Sequence, residues 1–214
     1  MRKEKALLLL SGGLDSAVCL YYSIKEYEVI AITFDYFGRR EAERIASQRL
    51  AKKAGVNLIS IDLGFLKEIS DAPIKAFKNK TPSSFIPARN VIFYGIAAHF
   101  AERVGASVII GGHLRSDKSK FPDASKEFFR ELNRLLRCAL GDSKIKVLTP
   151  FIQMSKSDVI KLGISLKVPF ELCWSCYEEG PEPCGKCEAC IERSKAFKIV
   201  GVPDPLTKRG PGGI

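Results

Sequence analysis

The sequence predicts an α/β fold, in which a parallel β-sheet carries helices on both faces, within a single domain that spans residues 1–214. Short β-rich runs alternate with segments of helical periodicity, and this order is typical of parallel sheets. A chain of 214 residues with 46% hydrophobic and 27% charged residues suits one globular domain with a sizeable core. The β-rich runs are Ala6–Leu10, Val29–Phe34, Leu58–Leu63, Val108–Ile110 and Lys146–Leu148.

In the first half of the chain, the apolar run that ends at Leu10 leads into a glycine-rich turn, Ser11–Ser16. The turn opens an amphipathic segment that predicts a helix through Ser23. Apolar residues at helical spacing between Ala42 and Leu50 predict the next helix.

In the second half, Asn90–Val104 predicts a buried helix, introduced by a proline-containing loop at residues 81–89. Residues 155–158 read Ser-Lys-Ser-Asp, a capping box, and predict a helix that runs to about Lys167. Residues 202–214 are rich in proline and glycine, so we expect them to form a flexible tail.

The glycine-rich turn has the features of a phosphate-binding loop. Gly12 and Gly13 have no Cβ, so the backbone can adopt positive φ and approach an anion closely. The first free N–H groups of the following helix point at the same place. In open parallel sheets ligands bind at the carboxyl ends of the strands, where Asp35 and Gly111-Gly112 are also expected.

Asp15 lies inside this predicted anion site and indicates a divalent cation, because a carboxylate beside a triphosphate is repelled unless a metal ion bridges the two. We therefore predict Mg²⁺ at Asp15, with hydroxyl groups from Ser11 and Ser16. The turn lacks the Walker and dinucleotide-binding patterns. It resembles the pyrophosphate loop (PP-loop) of the N-type ATP pyrophosphatases, which cleave ATP between the α and β phosphates and transfer AMP to an acceptor oxygen. The alternative is an ordinary strand-to-helix turn. The predicted ATP-binding residues are Leu10, Ser11, Gly12, Gly13, Leu14, Asp15, Ser16, Ala17, Val18, Cys19 and Leu20.

The charge pattern bears on partners and location. The formal net charge is +10, yet the basic residues form short pairs such as Arg39-Arg40 among acidic ones, which is typical of solvated helix faces. We therefore do not expect direct binding of tRNA. The apolar run after Lys5 is too short for a signal peptide, and no segment approaches the length of a membrane span, so we expect a cytoplasmic protein with no membrane partner.

Five of the seven cysteines lie between residues 173 and 190, and this density indicates a metal site. Zinc takes four ligands in structural sites, and we predict Cys176, Cys184, Cys187 and Cys190, within a zinc-binding element at residues 173–193. Two alternatives stay open: Cys173 replaces one of the four, or the cluster holds iron and sulfur. Four thiolates would close the zinc shell, so the ion is expected to stabilise the fold and not to act as a Lewis acid.

The order of several short sequence motifs along the chain resembles that of the 7-cyano-7-deazaguanine synthases of queuosine and archaeosine biosynthesis. The matching motifs include Thr149–Phe151, Ser155–Asp158, Val168–Glu171, Trp174–Tyr177, Pro183–Cys187 and Cys190–Arg193, with related motifs at Phe34–Tyr36, Ile86–Asn90 and Phe121–Asp123. The resemblance covers nearly the whole chain. It implies a Rossmann-like sheet of the adenine nucleotide alpha hydrolase type, use of ATP and Mg²⁺, and a homodimer.

The resemblance also implies an ATP-dependent carbon–nitrogen ligase. Its substrates would be 7-carboxy-7-deazaguanine and ammonia, and the product would be the nitrile, reached through adenylated acid and adenylated amide. Asp15, Lys156 and Arg89 are the expected catalytic residues, the two cations acting on charge at the α-phosphate. Acids would accept hydrogen bonds from the purine-like ring and aromatic rings would stack on it. The predicted substrate-binding residues are Tyr36, Arg89, Asn90, Asp117, Phe121 and Asp123.

The sequence departs from the family in the presumed substrate site, at Phe37-Gly38, at residues 114–120 and at Cys173. Three alternatives therefore remain. One is a tRNA-modifying PP-loop enzyme, since Gly112-His113 followed by Asp117 resembles a word found in such enzymes. Another is a related ligase that joins the deazaguanine acid to a different amine. The third is a non-catalytic, zinc-containing nucleic-acid-binding module, which the intact PP-loop word argues against.

Overall fold

A computed structural model describes residues 3–36, 38–66, 88–141 and 144–206, with the side chains of Lys118 and Lys120 excepted. In this part of the chain the strands are β1 (Glu4–Leu9), β2 (Tyr27–Tyr36), β3 (Leu58–Leu63), β4 (Val108–Ile110) and β5 (Lys146–Leu148). The helices are α1 (Leu14–Ser23), α2 (Glu41–Ala54), α3 (Arg89–Val104), α4 (Asp117–Lys120), α5 (Lys126–Ala139), α6 (Lys156–Ser165) and α7 (Glu188–Val200), with 3₁₀ turns at Pro122–Ala124 and Phe170–Leu172.

The described strands form one parallel sheet in the order β3-β2-β1-β4-β5. The α/β prediction is confirmed, and each predicted strand is present, with β1 and β2 beginning two residues earlier than the sequence pattern indicated. β1 is central, because Leu8 pairs with Ala31 of β2 on one side and with Ile110 of β4 on the other. The chain thus changes direction across the sheet between β1 and β4, and ligands of open α/β sheets bind at such a point.

Alternate residues of the sheet face two different cores. Leu8 and Ile110 pack with α1, α2, α6 and α7, whereas Leu7 and Ile109 pack with α3 and α5 on the opposite face. This is why β1 reads as an unbroken apolar run: both of its faces are buried. Among the described residues, no helix combines the length and the apolar character needed to cross a bilayer.

The predicted capping box is present at the start of α6. Ser155 Oγ accepts a hydrogen bond from the backbone N–H of Asp158, and a carboxylate oxygen of Asp158 accepts one from the N–H of Ser155. The helix ends at Ser165, two residues short of Lys167, which adopts a φ of 56°.

The prediction of a flexible tail from residue 202 is wrong for its first five residues. Asp204 accepts two hydrogen bonds from the guanidinium of Arg193, at 2.7 and 2.8 Å, and both side chains are buried. Arg193 also donates to the carbonyl oxygens of Phe170 and Cys173. This ion pair fastens the segment after α7 to the 3₁₀ turn at Phe170–Leu172. Residues 207–214, and residues 81–87 of the predicted proline-containing loop, lie outside the described residues.

Candidate active site and metal centre

The PP-loop, Ser11–Ser16, joins β1 to α1 at the carboxyl edge of the sheet. Gly12 has a φ of 96°, and a Cβ there would overlap the carbonyl oxygen of Glu43 and lie 2.9 Å from the nitrogen of Ser47. Only glycine meets both requirements without strain. The expectation of positive φ does not hold for Gly13, which adopts an extended conformation (φ −75°, ψ 165°) as the residue that precedes α1.

Hydrogen bonds hold three of the carbonyl groups of this loop. The guanidinium of Arg39 donates to Ser11 O at 3.0 Å, the backbone N–H of Trp174 donates to Gly12 O at 2.9 Å, and Ser16 Oγ donates to Gly13 O at 2.9 Å. A trans peptide places its C=O and N–H on opposite sides. These bonds therefore direct the following N–H groups away from the three donors.

Arg39 corrects one sequence interpretation. Its side chain is only 4% exposed, although the Arg39-Arg40 pair had the pattern of a solvated surface. Besides Ser11 O, it donates to Phe34 O and to Asp35 Oδ1 at 2.8 and 2.9 Å. Asp35 and Arg39 are four residues apart, and this spacing was the available signal for their ion pair.

Asp15 lies on the first turn of α1, and its two carboxylate oxygens have different surroundings. Oδ2 is 3.3 Å from Nζ of Lys156, whose pKa is raised chiefly by the charge of Asp15. Oδ1 is buried without a hydrogen-bond partner among the described atoms. Buried carboxylate oxygens are normally paired with a protein donor, a water molecule or a metal ion. The hydroxyls of Ser11 and Ser16 lie 3.0 Å apart close by, so the residues present fit a hard cation with oxygen ligands, as Mg²⁺ requires.

A cavity of about 290 Å³ opens beside this loop. It is bounded by the carboxyl ends of β1 and β2, the first turn of α3 and the segment after β4. The residues that line it are Leu9, Leu10, Ser11, Gly13, Asp15, Ser16, Ile32, Thr33, Phe34, Tyr36, Arg39, Glu43, Arg89, Asn90, Phe93, Gly111, Gly112 and His113. Asp15 and Arg89 of the predicted catalytic set are among them, and Lys156 reaches the site through Asp15.

The predicted ATP-binding segment divides into two groups. Leu10, Ser11, Gly13, Asp15 and Ser16 line the cavity, and Gly12 shapes the turn. The other five side chains are at most 2% exposed and pack in the core between α1 and the sheet; they are Leu14, Ala17, Val18, Cys19 and Leu20. Burial raises the pKa of Cys19 to about 12. These five residues place the loop and do not present side chains to the cavity.

Arg89 lies among aromatic rings at the start of α3. Its guanidinium carbon is 5.4 Å from the ring centre of Phe121, 5.8 Å from that of Phe93 and 5.9 Å from that of Tyr36. Such rings hold a guanidinium by cation–π attraction. Tyr36 and Phe121 thus contact Arg89 and orient it beside the cavity, whatever further contacts they make with a substrate.

Asp117 and Asp123 each use a carboxylate oxygen to hold the backbone. Asp123 Oδ2 accepts from the N–H of Asn90 at 2.9 Å, and the amide group of Asn90 donates to Asp123 O at 2.7 Å. Asp117 Oδ2 accepts from the N–H of Leu114 at 2.8 Å. Neither acid is among the described residues that line the cavity, whereas Asn90 is. The expected contact between these acids and a purine-like ring therefore stays a prediction.

Tyr94 and His113 form a pair that no sequence pattern indicated. The Tyr94 hydroxyl is 2.9 Å from Nε2 of His113, and Tyr94 is completely buried. A Cβ at Gly111 would overlap that hydroxyl, so glycine is needed there. Burial, with a smaller effect of the Arg89 charge, lowers the pKa of His113 to about 4. His113 is thus a neutral hydrogen-bonding group in the cavity wall near pH 7.

The four predicted metal ligands come together at the start of α7. The Sγ atoms of Cys176, Cys184, Cys187 and Cys190 all lie within 4.8 Å of one another, and those of Cys176 and Cys187 are 3.9 Å apart. A tetrahedral Zn²⁺ with bonds of about 2.3 Å places its sulfur atoms about 3.8 Å apart, so the cluster fits such an ion.

Backbone N–H groups point at the sulfur atoms of the cluster. Those of Glu178 and Cys184 approach Cys176 Sγ to 3.3 Å, and bonds from Lys186 and Cys187 lower the pKa of Cys184 to about 7. Donors of this kind favour the thiolate, which is the form that binds metal. Cys173 is outside this group of four and packs instead in the core on α1, so the alternative in which it replaces a ligand is wrong.

Solved structures with a similar fold include a U34-tRNA thiolase, NcsA, from Methanococcus maripaludis, which has a TM-score of 0.56 and 20% identity and matches over 99% of this chain and 69% of that one. An NMN synthetase from Francisella tularensis gives a TM-score of 0.58 with 18% identity over 94% and 79% of the two chains. These likenesses support the fold alone.

Closer sequence relatives carry one name. The 7-cyano-7-deazaguanine synthase of Archaeoglobus fulgidus is 38% identical, over 94% of this chain and 89% of its own length. That of Thermoplasma acidophilum is 37% identical, over 96% and 92% of the two chains. The family model described as "Queuosine biosynthesis protein QueC" matches residues 5–201. The chain therefore belongs to the QueC family of 7-cyano-7-deazaguanine synthases, PP-loop enzymes that act as ATP-dependent ligases.

Proposed function

We propose that this enzyme converts 7-carboxy-7-deazaguanine, ammonia and two molecules of ATP to 7-cyano-7-deazaguanine, two AMP and two pyrophosphates. The observation that carries the proposal is the buried, unpartnered Oδ1 of Asp15 inside a glycine turn at the switch point of the sheet. Family membership supplies the substrate class.

The proposed chemistry follows from the poor leaving group of a carboxylate. The carboxylate oxygen attacks the α-phosphorus of ATP and expels pyrophosphate, and ammonia then displaces AMP from the acyl carbon to give the amide. The amide oxygen attacks a second ATP in the same way. Loss of AMP and of the nitrogen protons then leaves the nitrile.

In this proposal the chain positions and neutralises charge. Mg²⁺ at Asp15 would supply positive charge to the phosphates when bound. The N–H of Gly13 and the N-terminus of α1 would hold phosphate oxygens, and Lys156, 3.3 Å from Asp15, would face the charge that develops on the α-phosphate. Arg89 would do the same from the opposite wall, held there by its aromatic neighbours.

We also propose that the cysteine cluster holds Zn²⁺, that the enzyme is a cytoplasmic homodimer, and that it does not bind tRNA directly. The four thiol groups support the metal, and their close approach as free thiols suits a reducing compartment. Elemental analysis, light scattering coupled to size-exclusion chromatography, and a tRNA gel-shift assay test the metal, the dimer and the absence of tRNA binding.

The direct test is mass spectrometry of the products after incubation with ATP, Mg²⁺, ammonium and the carboxylic acid. We expect the nitrile and two AMP for each nitrile formed. Amide as the only product would refute the nitrile synthase and favour a ligase that stops at, or passes on, the acyl group. No AMP with any combination would refute the proposal as a whole.

Asp15→Asn is the first variant to make, because it removes the carboxylate charge and keeps the shape. We expect loss of AMP formation by at least about 100-fold with an unchanged melting temperature. Asp62→Asn is the matched control, since Asp62 is exposed and its carboxylate accepts a hydrogen bond from Gly64 N, away from the cavity. Full activity of Asp15→Asn would contradict the assigned role.

A further inference from the structure

Trp174 is the single tryptophan of the chain, and it bonds to both of the sites described above. Its backbone N–H donates to Gly12 O in the PP-loop at 2.9 Å. Its indole Nε1 donates to the carbonyl oxygen of Cys176, a metal-cluster residue, at 3.1 Å. The ring is 8% exposed and packs in one apolar cluster with Ala46, Cys176 and Cys190.

The first of these bonds fixes the orientation of a peptide in the PP-loop. Because Gly12 O points to Trp174, the N–H of the next residue, Gly13, points in the opposite direction within the peptide plane, where it donates to Ser11 Oγ at 3.2 Å at the edge of the cavity. The backbone of Glu43 and Ser47 in α2 blocks Gly12 from behind. The direction of this N–H therefore depends on where Trp174 N lies.

The position of Trp174 depends in turn on the cysteine cluster. Residue 173 is held from one side, where its carbonyl accepts from Arg193. On the other side Cys176, two residues after Trp174, contacts the other cysteines through a hydrogen bond from Cys184 N to its Sγ, a sulfur contact with Cys187 and apolar packing with Cys190. A bound ion joins these four sulfur atoms into one rigid unit, and so fixes the segment that carries Trp174.

We propose that Trp174 is a positioning residue that couples metal binding at the cluster to the binding of nucleotide phosphate at Gly12-Gly13, so that each ligand raises the affinity for the other. The coupling rests on the proposed use of ATP at this loop. Linkage makes it reciprocal, and couplings between sites of this kind commonly amount to about 5–150-fold in affinity.

The test measures both directions of the coupling. Titration calorimetry gives the dissociation constant of α,β-methylene-ATP for the zinc-loaded and the metal-free protein, and competition with a chromophoric chelator gives the Zn²⁺ affinity with and without that nucleotide. We expect both affinities to change by at least about fivefold, by the same factor. The fluorescence of Trp174 should change on addition of either ligand, since this single tryptophan bonds to Cys176 O through its indole and to Gly12 O through its backbone N–H.

Trp174→Phe isolates the indole bond, because it keeps the backbone N–H and an aromatic ring while removing the donor to Cys176 O. We expect the zinc-loaded variant to bind the nucleotide analogue, with a coupling factor smaller than that of the unmodified protein. Tyr22→Phe is the matched control, since Tyr22 is exposed and its ring contacts Phe151. It should keep the full factor.

The outcomes separate this proposal from the proposed function. No detectable binding of the analogue to the zinc-loaded protein would refute the nucleotide site and the coupling together. Binding with equal affinities in both metal states and an unchanged Zn²⁺ affinity would refute the coupling alone. A full coupling factor in Trp174→Phe would refute the part that the indole of Trp174 plays in it. If the metal-free protein unfolds, the nucleotide affinities of the unmodified protein and of Trp174→Phe, both zinc-loaded and folded, decide, and equal affinities would refute the positioning role of Trp174.

Discussion

Gly12→Ala tests whether the shape of the PP-loop depends on the missing side chain. At φ 96° an L-residue costs about 1–2 kcal/mol, and a Cβ that overlaps Glu43 O and approaches Ser47 N to 2.9 Å adds about 1–3 kcal/mol of overpacking, because both neighbours are backbone atoms of α2. Alanine also lowers the conformational entropy of the unfolded chain, which offsets about 0.4–1 kcal/mol of this loss. The net loss is about 3 kcal/mol, which lowers the melting temperature of a protein of this size by about 6–12 °C.

Gly55→Ala is the matched control. Gly55 has a φ of 68°, and nothing lies within 4 Å of a Cβ built there, so the variant pays only the backbone cost and should lose about 1 kcal/mol. Calorimetric melting of both variants, with nucleotide titration of the folded proteins, separates the two effects. Equal melting temperatures would refute the steric argument. Unchanged nucleotide affinity in Gly12→Ala would refute the role of this turn in phosphate binding.

Three further changes have defined outcomes. Cys187→Ser should lower the metal content, measured by inductively coupled plasma mass spectrometry, and should reduce stability. Cys138→Ser, at an exposed position outside the cluster, should change neither. Retained metal in Cys187→Ser would contradict the ligand set. Gly111→Ala should lower the free energy of unfolding by at least about 2 kcal/mol, because the new Cβ overlaps the Tyr94 hydroxyl. Adding Tyr94→Phe to the same chain should recover part of that loss. If denaturant unfolding shows that the effects of the two substitutions simply add, the clash is excluded. The pKa of His113 is about 4 in the folded protein and near 6.5 in the unfolded chain, so the unfolded chain binds more protons between these pH values. The free energy of unfolding should therefore fall as the pH drops from about 6.5 to 4. His113→Gln should reduce this fall, and an identical pH profile would contradict burial of the neutral ring.

The features that could be predicted from the sequence are those that depend on local spacing. The strands, the glycine turn at Ser11–Ser16, the capping box at Ser155 and the cluster of four cysteines are each encoded within a few neighbouring residues, and the structure contains all of them. Spacing alone did not distinguish Cys173 from Cys176. The tertiary fold made that distinction, because Cys173 packs in the core on α1 whereas Cys176 lies beside the other three sulfur atoms.

The features that could not be predicted depend on contacts between distant parts of the chain. Arg39 is buried because Ser11 O and the residues at the end of β2 surround it, and its spacing from Asp35 indicates an ion pair but not this burial. Asp123 holds the start of α3 across 33 residues, and Tyr94 meets His113 across 19. A sequence pattern identifies the type of residue at such positions, but the tertiary fold decides whether its polar atoms face a ligand or the backbone.

The ion pair between Arg193 and Asp204 sets a limit on how far the protein can be shortened from its C-terminal side. A chain cut before Asp204 would leave the Arg193 guanidinium buried without its counter-charge, and loss of one partner of a buried pair costs about 3–5 kcal/mol. A chain cut after Leu206 would keep the pair and the bond from Leu206 N to Asp204. Affinity tags and fusion partners are thus expected to be tolerated beyond residue 206. Proteolytic cleavage before Asp204 would remove the partner of Arg193 and so destabilise the fold.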